Sequence, residues 1–502
     1  MTDITPDTTR NDPRATTPAS ERLPLWRKLG YGLGDIYGGG SLVVVSFYYL
    51  IFLTDVVRLS PALAGTVILI SKVYDAITDP LEGVLSDRTR TRLGRRRPYL
   101  LGGIPLIFLS FFGLFYPVNL DSEAARFAFV VATYLFFSTV VSLVMLNYNA
   151  LQAEITLDYN ERTSLSSLRI AFSTVSSILA ALLPLEIVKG FADVRQGWIV
   201  MGLVFGVIFA LPFIATVASV RERREFQRPP ARLDLAATLL RPFRIRTFVH
   251  ALLMYLFAFV AMDAVSSVVV YFMKYYLNRG DEANYVAGTL LIFQVLSLPL
   301  YVGLSRRTSK RHGFMAGGLL WIAVMFVSFL ITPASPWLLV YIFAALVGLG
   351  TGGIVVMIYA IFPDIPDVDE LQSGQRREGS FGALISLSRK LSSALAIFAV
   401  ANVLGWAGYI RPVEQVVNGA TQLVDQPQSP EFVLVLRLIF AFLPVVLVAC
   451  AVFFASRYPL NGAAHGRLNV LLARRRRGEP ETSETQAEAA ALERLLIGRE
   501  TA

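Results

Sequence analysis

The chain has 502 residues, of which 54% are hydrophobic and only 17% charged, against about 25% charged in soluble domains. Its mean hydropathy of +0.55 and its apolar runs from end to end exclude water as the solvent for most of the surface. The net charge of +9 sits in short clusters between those runs, which excludes a nucleic-acid-binding face and fits the loops of a membrane protein.

Residues 1–27 are polar and carry no apolar core, so they read as a tail and not as a cleavable signal peptide. A membrane span needs about 20 mainly apolar residues. By that measure six spans are expected near 31–54, 61–86, 99–117, 124–153, 164–189 and 196–219. After an Arg-rich segment at 221–244, six more follow near 245–277, 284–304, 313–332, 336–362, 378–409 and 431–456. The halves are 28–220 and 245–460, with a tail at 461–502. The fold class expected is an all-α membrane protein of twelve spans in two six-helix halves, the layout of the major facilitator superfamily, whose solutes bind between the halves near the midplane.

Basic clusters fall before the first span, between spans two and three, in the central segment, between spans eight and nine, and after span twelve. Alternating spans put them all on one side, so both termini are expected in the cytoplasm and the protein in the inner membrane. Arg58, Arg195 and Arg279 are exceptions in the opposite loops. The tail from Gly478 is rich in Glu, Ala and Thr. Such a tail is ordinarily solvated; the alternative is a short amphipathic helix around 492–496.

The second span contains Asp75-Ala76-Ile77-Thr78-Asp79-Pro80. Asp75 and Asp79 lie four apart and so face the same way on a helix. A carboxylate at the bilayer centre costs about 2.5–3.5 kcal/mol on insertion scales, and two on one face repel unless a cation or proton sits between them. Thr78 adds a hydroxyl. This is the pattern of a coupling-cation site, with sodium or a proton as the ion. The plainer alternative is a buried salt bridge with Lys72 or another basic residue. In the eleventh span, Lys390 is expected to reach the carboxylate pair, whereas Arg389 reads as snorkelling to the cytoplasmic face. Two loops carry opposite charge: Arg88 to Arg97, including Arg95, and Asp364, Asp367, Arg376 and Arg377. They suggest an inner gate that locks when the transporter faces outward; the plainer reading is positive-inside topology for the first and a solvated face for the second. No nucleophile–base–acid set, P-loop or Cys/His cluster is present, so neither an enzyme nor an ATP-driven pump is expected and no cofactor is called for.

Several stretches in this order resemble the glycoside–pentoside–hexuronide:cation symporters, the melibiose permease-like family. They are Lys28 to Gly32, Thr54-Asp55-Val56-Val57, the Asp75–Pro80 run, Gly94 to Tyr99, Leu157 to Thr163, Arg376 to Gly379, Lys390-Leu391 and Gly408-Tyr409. The resemblance implies cation ligation by Asp75, Asp79 and Ser142, and a link between cation and solute through Lys390. It places Arg169 at the solute cavity, with Tyr148 as a further candidate. It implies a small-molecule partner, a sugar or sugar acid, carried by a monomer. Two departures stand out: the family's sugar-holding aspartates of the first and fourth spans fall at Gly39 and Met145, with Asp35 one turn away as a substitute. Met145 keeps open a sodium-coupled lysophospholipid carrier of the same fold. A membrane receptor that binds a solute without moving it is the alternative of a different class.

Overall fold

The computed structural model describes residues 23–156, 159–220, 241–374, 378–417, 420–477, 479–480 and 482–498. Most of the linker at 221–244, together with Arg376 and Arg377, lies outside them. Among the described residues, eleven helices are long and apolar enough to cross a membrane. The twelfth, the first span, is a helical run over residues 25–56 assembled from Leu25–Leu33, Asp35–Val44 and two wider turns, Val45–Tyr49 and Phe52–Val56. The expected twelve-span all-α membrane fold is therefore present.

The second span is Pro61–Arg88, the fourth Glu123–Ile155, the fifth Tyr159–Lys189, the seventh Arg246–Tyr271 extended by Phe272–Tyr276, and the eleventh Glu378–Trp406. The halves meet where the second span packs on the eleventh, the fifth on the eighth, and the first on the seventh. The second span shows how its sequence sets two environments. Ile77, Leu81 and Leu85 are 57–64% exposed along one stripe, as suits a face toward lipid. Asp75, Asp79 and Glu82 run down a different stripe, because 3.6 residues per turn separates the two sets by about a third of a turn.

The first and seventh spans end alike. Each finishes in a turn with wider, π-type hydrogen bonding, Phe52–Val56 and Phe272–Tyr276. Each is followed by a non-glycine residue with positive φ, Arg58 at 66° and Asn278 at 55°. The same closing bonds recur, Leu59 N–H to the Leu53 carbonyl at 2.9 Å and Arg279 N–H to the Met273 carbonyl at 2.7 Å. Such turns are rare and concentrate at functional sites. Their recurrence in equivalent spans is the mark of an internal repeat.

With twelve spans the chain ends on the face it starts from, called here the terminal face; the other is the distal face. Between spans eleven and twelve, β1 (Val413–Val417) and β2 (Ala420–Val424) form an antiparallel hairpin on the distal face, pairing Val413 with Val424. The C-terminal tail is not simply solvated. It forms two helices, Gly462–Arg476 and Ser483–Leu496, the second opened by a capping box at Thr482. Leu492 and Leu496 are fully buried. The Thr247 hydroxyl donates to the Leu496 carbonyl at 2.7 Å, and Arg476 pairs with Glu370. Burial of one apolar stripe and capture of backbone carbonyls at the start of the seventh span outweigh the polarity of the segment.

Candidate functional site

The second, fourth and eleventh spans bring one polar cluster together near mid-membrane. Asp75 is 2% exposed and takes a hydrogen bond from Ser138 of the fourth span. Lys72, one turn earlier, lies 3.1 Å from Asp75 Oδ2. Lys390 Nζ is 2.6 Å from Asp79 Oδ2, 3.6 Å from Asp75 Oδ2 and 3.4 Å from Ser142 Oγ. A single ammonium thus bridges both carboxylates from the opposite half. Asp79 Oδ1 has no partner among the described residues. Both readings of the pair hold geometrically: the carboxylates stand together, and two lysines neutralise them. Thr78 turns its hydroxyl back to the Tyr74 carbonyl at 3.1 Å. Ser138 and Glu82 were missed by sequence reasoning, although each sits one turn from a residue that was singled out.

A second cluster joins the first, fourth and fifth spans. Arg169 donates to Asp35 Oδ1 at 3.2 Å, Gln152 Oε1 at 2.5 Å and Asn149 Oδ1 at 2.6 Å. Its guanidinium lies 4.7 Å from the Tyr148 ring centre, within cation–π range. Tyr31 and Tyr148 stack and exchange hydroxyl–carbonyl bonds of 2.9 and 2.8 Å. Asp35, Arg169 and Tyr148 are therefore assembled as one group, and Met145 packs beside Gly38 and Asp35.

The eleventh span holds a matching arginine. Arg389 does not snorkel: it grips Asp263 of the seventh span through two bonds of 2.6 and 2.7 Å and lies 5.1 Å from the Phe259 ring centre. A carboxylate within reach of a planar guanidinium supplies two charge-assisted bonds that a climb to the interface forgoes. Asp263 is 126 residues from Arg389, and only the packing of spans seven and eleven reveals it.

The distal face is closed between the halves. Asp55, 3% exposed, receives Lys274 Nζ and the Tyr275 hydroxyl, both at 2.7 Å, together with Tyr409. Thr54 bonds Tyr271 at 2.6 Å. Glu414 of the hairpin pairs with Arg195 and lies 3.6 Å from Arg58. Asn284 Nδ2 donates to the Leu182 carbonyl at 2.9 Å, and the Pro61 ring lies against Gly405. Two of the three exceptional arginines, Arg58 and Arg195, thus belong to this closure.

On the terminal face the pairs observed lie within each half. Arg95 Nη2 binds Glu154 at 2.6 Å, inside the first half. Asp364 binds Lys310 at 2.5 Å, and His465 lies 3.8 Å from both Asp364 and Asp367, inside the second. Arg88 is exposed. Arg95 and Asp364 thus each meet an opposite charge in their own half. Outside the membrane, the hydrogen bond to Asp367 raises His465 above the ordinary histidine value.

Charges buried between helices, two helical halves and a closure on one face are the features of a multi-pass transporter. Residues 30–462 match the family model described as MFS/sugar transport protein, and the chain belongs to that family, which is one of transporters and not of enzymes. It is 28% identical to an uncharacterized symporter of Synechocystis sp., covering 89% of this chain and 96% of that one. It is 28% identical to a glucuronide carrier protein homolog of Escherichia coli, over 87% of this chain and 93% of the relative. The fold matches the inward-open xylose transporter of E. coli with a TM-score of 0.58 at 16% identity, covering 89% and 98% of the two chains.

Proposed function

We propose that the protein is a solute:cation symporter of the inner membrane, with both termini cytoplasmic, that carries a sugar, glycoside or sugar acid with a sodium ion or proton. The observation that carries this reading is Lys390, from one half, standing between Asp75 and Asp79 of the other. A cation bound by the two carboxylates competes with the ammonium for Asp79 and frees Lys390 to donate to a solute. Cation and solute then raise each other's affinity, as linkage requires. The Arg169–Asp35 and Arg389–Asp263 pairs offer guanidinium donors and carboxylate acceptors from both halves, a set suited to hydroxyls and to an anionic substituent. The match to a glucuronide carrier homolog points the same way. With the basic clusters of the terminal face placed in the cytoplasm, the closed distal face is the periplasmic one.

The test is a thermal-shift screen of the purified protein against neutral sugars, glycosides, uronates and lysolipids, each with sodium chloride and with choline chloride over a range of pH. A ligand that binds the folded state raises the melting temperature by mass action. A sugar or uronate whose effect grows with the coupling cation is the expected result. Stabilisation by lysolipids alone contradicts the sugar reading.

A further inference from the structure

The two halves repeat one device at two depths. Spans five and eleven are equivalent in the halves, and each carries an arginine at nearly the same place: Arg169 is ten residues past Tyr159, and Arg389 eleven past Glu378. Each arginine pairs with an aspartate of the equivalent first or seventh span and lies over an aromatic ring. The aspartates, however, stand at different levels. Asp35 is ten residues into the first span, counted from Leu25, and Asp263 is seventeen into the seventh, counted from Arg246. The fourth span gives the same offset: Arg169 binds its Asn149, whereas Lys390, next to Arg389, binds its Ser142. Both routes amount to seven residues, about 10 Å of helix rise. The two pairs are therefore two turns apart along the membrane normal, with one in each half.

The second pair borders an aqueous space. Along span eleven, Gly382, Ser386, Arg389 and Ser393 share one stripe. Gly382 and Ser386 are exposed, and a Cβ at Gly382 would meet no atom within 4 Å. Leu391 and Leu395, both well exposed, lie on the other side of the helix, as suits lipid. An exposed polar stripe inside a bundle lines a water-filled cavity. Beside the pair stands an aromatic wall. The Phe259 ring, one turn from Asp263, is centred 4.5 Å from that of Tyr255 and meets the Tyr359 ring at 6.2 Å, edge to face. Tyr359 comes from the tenth span, Trp337–Ile361, and is 58% exposed.

We infer that Arg389, Asp263, Phe259 and Tyr359 form a second solute subsite that takes a second sugar ring, so that the cargo is a disaccharide or larger glycoside and not a single sugar. This rests on the sugar reading above and names its substrate class. The paired contact with Asp263 uses two of the five N–H groups of Arg389, and a carboxylate has more acceptor positions than two bonds fill. The pair thus presents donors and acceptors side by side to neighbouring hydroxyls on one ring edge. The C–H face of a sugar ring is apolar and lies against Phe259 and Tyr359. An apolar, aromatic wall with a few placed polar groups is the ordinary make-up of a ligand pocket. One ring held by Arg169 and Asp35 falls short of a pair two turns away, whereas two linked rings span both.

The experiment is isothermal titration calorimetry of the full-length protein in detergent with sodium chloride. Cellobiose, lactose, maltose and xylobiose are each compared with the methyl glycoside of their own non-reducing sugar. The wild type is expected to bind at least one disaccharide about 10- to 100-fold more tightly than its methyl glycoside, as hydrogen bonds to charged partners give. Tyr359→Ala and Asp263→Asn are expected to weaken the disaccharide far more than the methyl glycoside, so that the ratio falls toward one. Arg169→Lys, at the first pair, is expected to weaken both and keep the ratio. Size exclusion and melting temperature report folding; if Asp263→Asn does not fold, Tyr359→Ala, at an exposed ring, decides alone. Equal affinity for disaccharide and methyl glycoside in the wild type overturns the second subsite and leaves the sugar reading standing. So does a ratio that survives in a folded variant at Tyr359 or Asp263. Binding of neither set, with lysolipids bound instead, overturns the sugar reading and the subsite with it.

Discussion

Asp55→Asn is expected to unlock the distal face. The Asp55 side chain is 4% exposed and accepts from Lys274, Tyr275 and Tyr409, all from the other half. An asparagine keeps one acceptor oxygen and turns an amide donor toward groups that are donors themselves. Breaking a buried ion pair costs about 3–5 kcal/mol. Lys274 retains Asp425 at 2.7 Å and is 21% exposed, which softens the loss to about 2–3 kcal/mol by the same reasoning. That is a shift of about 30- to 150-fold toward states open on the distal face. A reporter is available at Ala401, which is fully buried and opposes Gly65 across the contact between spans two and eleven. In a Cys450→Ala background, Ala401→Cys should react with a maleimide slowly in the parent and at least tenfold faster with Asp55→Asn. An unchanged rate in a protein that melts normally refutes the idea that this cluster holds the face shut.

Arg389→Ala leaves Asp263 without its two bonds and should lower stability by about 2–4 kcal/mol, seen as a fall in melting temperature; Arg389→Lys should recover only part of it, since an ammonium cannot make the paired contact. Gly317→Val places a Cβ 2.7 Å from the Gly350 backbone carbonyl oxygen and should cost about 1–3 kcal/mol through separation of spans nine and ten, whereas Gly303→Val, with no atom near its Cβ, should melt like the parent. His465 contributes to docking of the tail when protonated, because Asp367 and Asp364 hold its pKa above the ordinary value. Its contribution is therefore complete below about pH 6.5 and is lost as pH rises through the raised value. Exposure limits it to under about 1 kcal/mol; amide exchange of the Ser483–Leu496 helix should speed up with pH in the wild type more than in His465→Ala.

How much of this was legible in the sequence depends on the distance over which a contact is made. Asp75 and Asp79 were readable because both lie on one helix and periodicity alone fixes their face. Glu82 and Ser138 were readable by the same rule, one turn further on. The hairpin was readable too: Val417-Asn418-Gly419-Ala420 is a strong two-residue turn signal between strand-like runs. Arg389 with Asp263, and Asp55 with Lys274, were not readable, since no local rule says which helices pack together across 126 or 219 residues. The gate between the loops concerns the state closed on the terminal face, and its Arg376 and Arg377 lie outside the described residues. Opposite charge says that two segments can pair, and here Arg95 meets Glu154 and Asp364 meets Lys310, each within its own half. In the tail, the composition argued for solvation, while the stripe of Leu492 and Leu496 had a partner surface that only the folded second half provides.

The central claim is that Asp75 and Asp79 couple the solute to a cation. The most direct measurement is accumulation of the sugar or uronate identified by thermal shift, in proteoliposomes under an imposed sodium or proton gradient, for the wild type, Asp75→Asn, Asp79→Asn and the double variant. The wild type should concentrate the solute, and each Asn variant should lose concentrative uptake while retaining exchange at equal concentrations, because the Arg169–Asp35 and Arg389–Asp263 pairs remain in place. Gradient-driven accumulation by the double Asn variant at wild-type levels would contradict the account.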